Sequence, residues 1–133
     1  MKNIILGFGI SIVLVSCSAV SSLSKLGGKQ ASIADTQWVL AETVKGKTPT
    51  LVLEGNRVSG NAGCNNYFGD VVLDTTAGNF SVKNVGSTRM SCDNMSVEQN
   101  YLSMIQQADK YVVNGDVLEL YKGNLLLVKF NKK

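Results

Sequence analysis

The chain has 133 residues, 44 % hydrophobic and 17 % charged, with 13 basic side chains against 10 acidic ones and a net charge of +3. That balance fits a soluble globular domain and is too weak to argue for nucleic acid or a strongly acidic partner. The complete lack of histidine removes Ser-His-Asp and Cys-His mechanisms, and with them the commonest general base.

Lys2 precedes an apolar stretch of 12 residues, Ile4 to Val15, that closes on Leu14-Val15-Ser16-Cys17. A basic start, a short apolar run and small residues form a secretory signal rather than a structural element. The run falls well short of the roughly 20 helical residues that cross a hydrocarbon core. Its end resembles a lipobox, which implies cleavage after Ser16 and acyl chains on Cys17. The alternative is an ordinary secretory signal cut near Ser18 or Ala19. Either reading places the rest of the chain outside the cytoplasm. Ser18, where an inner-membrane retention signal has aspartate, implies an outer-membrane anchor facing the periplasm. Residues 1–16 are therefore expected to be a signal peptide. Residues 17–34, rich in Ser, Gly and Lys and free of aromatics, read as a flexible tether. Residues 35–133 remain as one domain.

Trp38-Val39-Leu40 opens the ordered region as a first strand. Thr50–Glu54 and Arg57–Gly60 flank Gly55-Asn56, a two-residue hairpin signal. A corner rich in glycine and asparagine runs from Gly60 to Asn66. Tyr67–Asp74 and Asn79–Val85 carry β-branched and aromatic residues on either side of a turn at Thr75–Gly78. The helix signal begins at Ser96, an N-cap residue with Gln99 three positions on, as in a capping box. It places Val97, Tyr101, Met104, Ile105 and Ala108 on a core face. Tyr111–Val113, Val117–Tyr121 and Leu125–Phe130 come next as strands, separated by Asn114-Gly115-Asp116 and Gly123-Asn124. Leu125-Leu126-Leu127-Val128 is apolar on both faces, as a central or ligand-lining strand is.

Three cysteines are present, Cys17, Cys64 and Cys92. If Cys17 carries lipid, the remaining two can pair without remainder in an oxidising compartment. A Cys64–Cys92 bridge would close a loop of roughly 28 residues, worth ~3.5 kcal/mol in the chain-entropy model. Two free thiols are the competing reading. A redox pair is disfavoured by the wide spacing, and a zinc site, which takes four ligands and normally includes histidine, by the lack of any histidine.

The blocks around these cysteines are specific. Ser59, Gly60, Gly63, Cys64, Asn65, Tyr67 and Gly69 form a Ser-Gly-x-x-Gly-Cys-Asn-x-Tyr-x-Gly signature. Thr88, Met90 and Cys92 form Thr-x-Met-x-Cys, and the opening Trp-x-Leu is Trp38-Val39-Leu40. In this order, and with a helix opening at Met95–Tyr101 after them, they resemble the META domain of the HslJ-like heat-inducible bacterial lipoprotein family. The resemblance implies an α+β, mostly antiparallel β fold: a partly open β-barrel with a single α-helix packed across it. It also implies an association with envelope stress and supplies no catalytic residues or cofactor.

Read without the resemblance, Gly60, Gly63 and Gly69 suit a sharp corner. Asn61, Asn65 and Asn66 can satisfy loop backbone groups with their amides. Arg89 is placed to cap loop carbonyls or to pair with Asp93, and Tyr67, Met90 and Trp38 read as core fillers. The corner formed by Asn61, Gly63, Asn65, Tyr67, Gly69, Thr88, Arg89 and Met90 is thus either a structural element pinned by the disulfide or the polar rim of a groove. No nucleophile elbow or phosphate loop is present. Asp70, Asp74, Asp93 and Glu98 read as solvated surface rather than a paired-carboxylate site. The expected function is that of a monomeric, non-enzymatic envelope accessory that docks another envelope protein through a groove or an exposed strand edge. The alternative is a carrier of a small apolar ligand or lipid between helix and sheet, with Leu125–Val128 facing Met104 and Ile105.

Overall fold

A computed structural model of the protein describes residues 25–133; the signal region, the lipobox and Cys17 lie outside them. The described chain forms eight strands and one helix. The strands are β1 (Gln37–Leu40), β2 (Thr50–Glu54), β3 (Arg57–Asn61), β4 (Asn66–Asp74), β5 (Asn79–Ser87), β6 (Lys110–Asn114), β7 (Val117–Lys122) and β8 (Leu125–Lys132). The helix α1 (Met95–Gln107) lies between β5 and β6. Each strand pairs antiparallel with the next, and β1 pairs with β8, so the sheet closes into a ring. The hairpin turn at Gly55-Asn56 is in place, with Gly55 at φ 57°.

One seam of the ring is thin. β5 and β6 share a single registered pair, Asn79 opposite Lys110. Two backbone bonds support it: Phe80 N–H to Asp109 C=O (3.0 Å) and Tyr111 N–H to Gly78 C=O (2.9 Å). Past Phe80 the two strands separate, and this is where the barrel is partly open. The chain leaves the far end of β5, crosses as α1, and returns as β6.

The interior follows from strand alternation. Leu51, Leu53, Val58, Tyr67, Val71, Phe80, Leu118, Leu120 and Phe130 all point inward and are buried. The helix covers one end of this core with Tyr101, Ile105 and Ala108. The opposite end, where the β2–β3, β4–β5 and β6–β7 turns lie, is covered by the segment before β1. Ile33 is 1 % exposed and belongs to the core. Gln30 donates its N–H to Thr75 C=O (2.7 Å) and accepts Val113 N–H on Oε1 (3.1 Å). Gln30–Ala34 was expected to be flexible tether. It packs on the domain instead, because an isoleucine and a hydrogen-bonding glutamine fill the mouth that the turns leave open.

Two further expectations change. The helix starts at Met95, one residue before the expected cap, with Asn94 at the N-cap and no side-chain capping bond. The Asn94 amide is engaged elsewhere, with Lys45 C=O (3.2 Å) and Gly63 C=O (3.0 Å). The run Leu125–Val128 lines no ligand space. Leu125 and Leu126 are 64 % and 44 % exposed, and only Val128 is buried. They begin a strand at a hairpin tip, and the Ile105 expected opposite them is inside the core. Phe68 is also exposed, but its ring lies over Gly86, its cross-strand partner, and shields that backbone.

Candidate functional site at the disulfide corner

Cys64 and Cys92 are bonded, with Cα atoms 6.1 Å apart. The bridge ties the β3–β4 corner to the loop between β5 and α1. A second tie between the same segments is made by Asn65. Its Oδ1 accepts from Thr88 Oγ1 (2.9 Å) and Met90 N–H (2.7 Å). Its Nδ2 donates to Met90 C=O (3.0 Å) and to Glu98 Oε2 (2.9 Å). Its own N–H donates to Glu98 Oε1 (2.6 Å), and its C=O accepts from Ala62 N–H (2.9 Å). Both amide hydrogens, two acceptor positions on the amide oxygen and both backbone groups are used. Asn65 is 1 % exposed, so each unmade bond would carry a desolvation cost.

The neighbouring residues complete the corner. Asn61 accepts Gly63 N–H on Oδ1 (2.8 Å) and donates to Cys64 C=O (3.3 Å) and Asn66 Oδ1 (3.1 Å). Gly60, at φ 149°, runs against the Thr50 backbone so closely that a Cβ would collide with its carbonyl. Gly63, at φ 114°, faces Val97 of the helix. Gly69 lies in β4 at the register shift between Phe68 and Asp70, opposite Asn84 and Val85. Asn84 takes φ 55° there and donates to Asp70 Oδ2 (2.9 Å), the arrangement of a β-bulge.

Below the corner, Tyr67 and Tyr101 meet at the Thr50 carbonyl. Tyr67 Oη lies 2.7 Å from that oxygen and 2.7 Å from Tyr101 Oη, and Tyr101 Oη lies 2.9 Å from it. Two hydroxyl hydrogens serve three contacts, so both phenols are held neutral by their surroundings. Burial pushes both upward from the ordinary tyrosine value.

Three residues differ from expectation. Met90 is 60 % exposed. The motif uses this position through its backbone, which pairs with the Asn65 amide as one strand pairs with another, and leaves the side chain outside. Glu98 is 4 % exposed rather than solvated. It stands three residues before Tyr101 and seven before Ile105, hence on the core face, and that register was the available signal. Arg89 makes no ion pair or hydrogen bond among the described residues. It does not pair with Asp93, and the ion pair found is the exposed Arg57–Asp70 contact at 3.7 Å.

At the corner itself, a groove of 280 Å³ runs between the Ser87–Ser91 segment and Met95, lined also by Asn65 and Glu98, with Arg89 and Met90 on its rim. A larger open groove of 430 Å³ lies between the β1–β2 loop and α1, lined by Leu40, Val44, Val97, Tyr101 and Met104. No cluster of three or more Cys, Asp or Glu able to hold a metal occurs among the described residues. Within the same limits, no helix is long and apolar enough to cross a membrane.

The family model described as META domain matches residues 31–133. The chain belongs to the META domain family. The match begins at Ala31, within the segment that closes the end of the ring. A solved structure from Burkholderia xenovorans, determined by NMR, is similar at 25 % identity and a TM-score of 0.64, covering 85 % of this chain and 87 % of that one. A second NMR structure is similar at 18 % identity and a TM-score of 0.57, covering 82 % and 92 %. It supports the fold alone. No curated protein matches the chain. In this META domain Thr88 and Met90 of the second signature bond Asn65 of the first, and the disulfide joins the same two segments.

Proposed function

We propose that this META domain is a lipid-anchored, non-enzymatic accessory of the cell envelope, held in the outer membrane and facing the periplasm, where it docks another envelope protein. The observation that carries this reading is the presentation of Arg89 and Met90. The loop beneath them is held by the disulfide and by Asn65, yet both side chains are exposed and Arg89 is unpaired among the described residues. Arg and Met are enriched at protein interfaces, and a pre-ordered loop loses little entropy on binding. The HslJ-like resemblance adds a stress-related setting.

Docking through strand addition has little to use. Every strand is paired on both sides except along the β5–β6 seam, where the bulge at Asn84 interrupts the free edge. Carriage of an apolar ligand, the competing reading, is left with open grooves such as the one beside α1, since Tyr101, Ile105 and Phe130 fill the space between helix and sheet.

The test is affinity capture from detergent-solubilised envelopes, with the full acylated protein and its Arg89→Ala/Met90→Ala variant as baits. An envelope protein enriched by the first and lost by the second supports docking through this loop. Equal enrichment by both moves the interface elsewhere. A co-purifying lipid with no protein favours the carrier.

A further inference from the structure

We infer that the end of the ring closed by Gln30–Ile33 faces the phospholipid bilayer and seats on it, so that the disulfide corner projects away from the membrane. This rests on the lipid-anchor reading of Cys17. The described chain begins at this end, where Lys25 Nζ donates to Asn114 Oδ1 of the β6–β7 turn (3.3 Å). Cys17 and Lys25 are eight peptide steps apart, which span at most about 29 Å when fully extended. β4 runs from the disulfide corner to this end through nine residues, about 27 Å at the rise of a strand and roughly 20 Å along the axis of a ring whose strands are tilted. With the corner toward the bilayer, the connecting chain would spend roughly two thirds of that reach travelling the length of the ring. With the corner away, it needs almost none of that reach.

The surface at this end suits a lipid interface. A groove of 380 Å³ is lined by Val71, Val72, Leu73 and Tyr111 together with the polar Ser32 and Asn56, and of these Val72 is 67 % exposed. The charges at this end are mixed, with Lys25, Lys29, Arg57 and Lys132 against Asp35, Glu54, Asp74 and Asp116, so the contact is not an attraction to anionic headgroups. The other exposed apolar side chains, Phe68, Met90, Leu125 and Leu126, lie on the half of the ring toward the disulfide corner and compete for the same role.

The experiment places a tryptophan at each position in the full acylated protein: Val72→Trp, Met90→Trp and Leu125→Trp. Native Trp38 is buried and supplies a constant background. Vesicles of phosphatidylethanolamine and phosphatidylglycerol are doped with brominated phosphatidylcholine, and flotation is measured alongside fluorescence. All three variants are expected to float. The fluorescence added at Val72 should shift to the blue and lose most of its intensity, while that at Met90 and Leu125 stays unquenched. Quenching at Met90 or Leu125, or none at Val72 on floated protein, overturns the orientation with the anchor intact. Failure to float overturns the anchor reading and this inference with it.

Discussion

Glu98 grips Asn65 with both carboxylate oxygens, one on the backbone N–H at 2.6 Å and one on the side-chain amide at 2.9 Å. The pair joins the first turn of α1 to the β3–β4 corner across 33 residues of sequence. Because Asn65 also holds Thr88 and Met90, the helix, the corner and the loop before the helix meet at one side chain.

That arrangement makes Asn65 intolerant of its own isostere. In Asn65→Asp the two donors facing Met90 C=O and Glu98 Oε2 become an acceptor, and a second carboxyl is buried beside the first. The expected loss is on the order of 3 kcal/mol or more. Glu98→Ala strands two donors and should cost about 2–4 kcal/mol, while Glu98→Gln, which keeps one acceptor, should cost less. Urea unfolding of the three variants checks the order.

The disulfide and Asn65 hold the same two segments, so losing the bridge should weaken the fold without abolishing it. Cys64→Ala/Cys92→Ala is expected to fold with stability lower by about 3.5 kcal/mol. Intact mass of the native domain should lie two hydrogens below the fully reduced value. An unchanged unfolding midpoint in the double variant would show that the hydrogen bonds alone hold the corner.

Closure of the far end by Ile33 predicts where the domain can be cut. A chain starting at Lys25 should retain full stability. One starting at Asp35 loses the burial of Ile33 and the bonds of Gln30, a deficit of about 2–4 kcal/mol. Ile33→Ala in the longer chain should account for much of it, since removing a buried isoleucine typically costs about 2–5 kcal/mol. Denaturant midpoints of the three proteins decide this.

Alkaline stability tests the tyrosine pair. Burial raises Tyr67 and Tyr101 in the folded state above the ordinary value of 10.0. The unfolded chain therefore sheds these protons first, and the folded state binds more of them. Their contribution is intact below about pH 10 and is lost as pH rises beyond it, by about 1.4 kcal/mol per pH unit for each tyrosine. Tyr67→Phe/Tyr101→Phe should flatten that slope, leaving what Tyr111 and Tyr121, also raised by burial, contribute. An unaltered slope between about pH 10 and 11 would contradict the burial of the pair.

Much of this was legible in the sequence. Alternation placed the strands to within one or two residues, Gly55-Asn56 and Gly123-Asn124 marked hairpins, and the spacing of the cysteine-bearing blocks pointed to the family. These signals are local: they report the faces a segment presents and the turns it can make. What the tertiary structure alone decided is which groups meet across the ring. Glu98 looked like a surface acid because its partner lies 33 residues away. Met90 looked like core because a backbone role leaves no trace in residue type. Ile33 looked like tether because the mouth it fills exists only after eight strands have closed. Periodicity is set by a residue's neighbours in the chain, whereas burial and pairing are set by neighbours that the closure of the ring brings in.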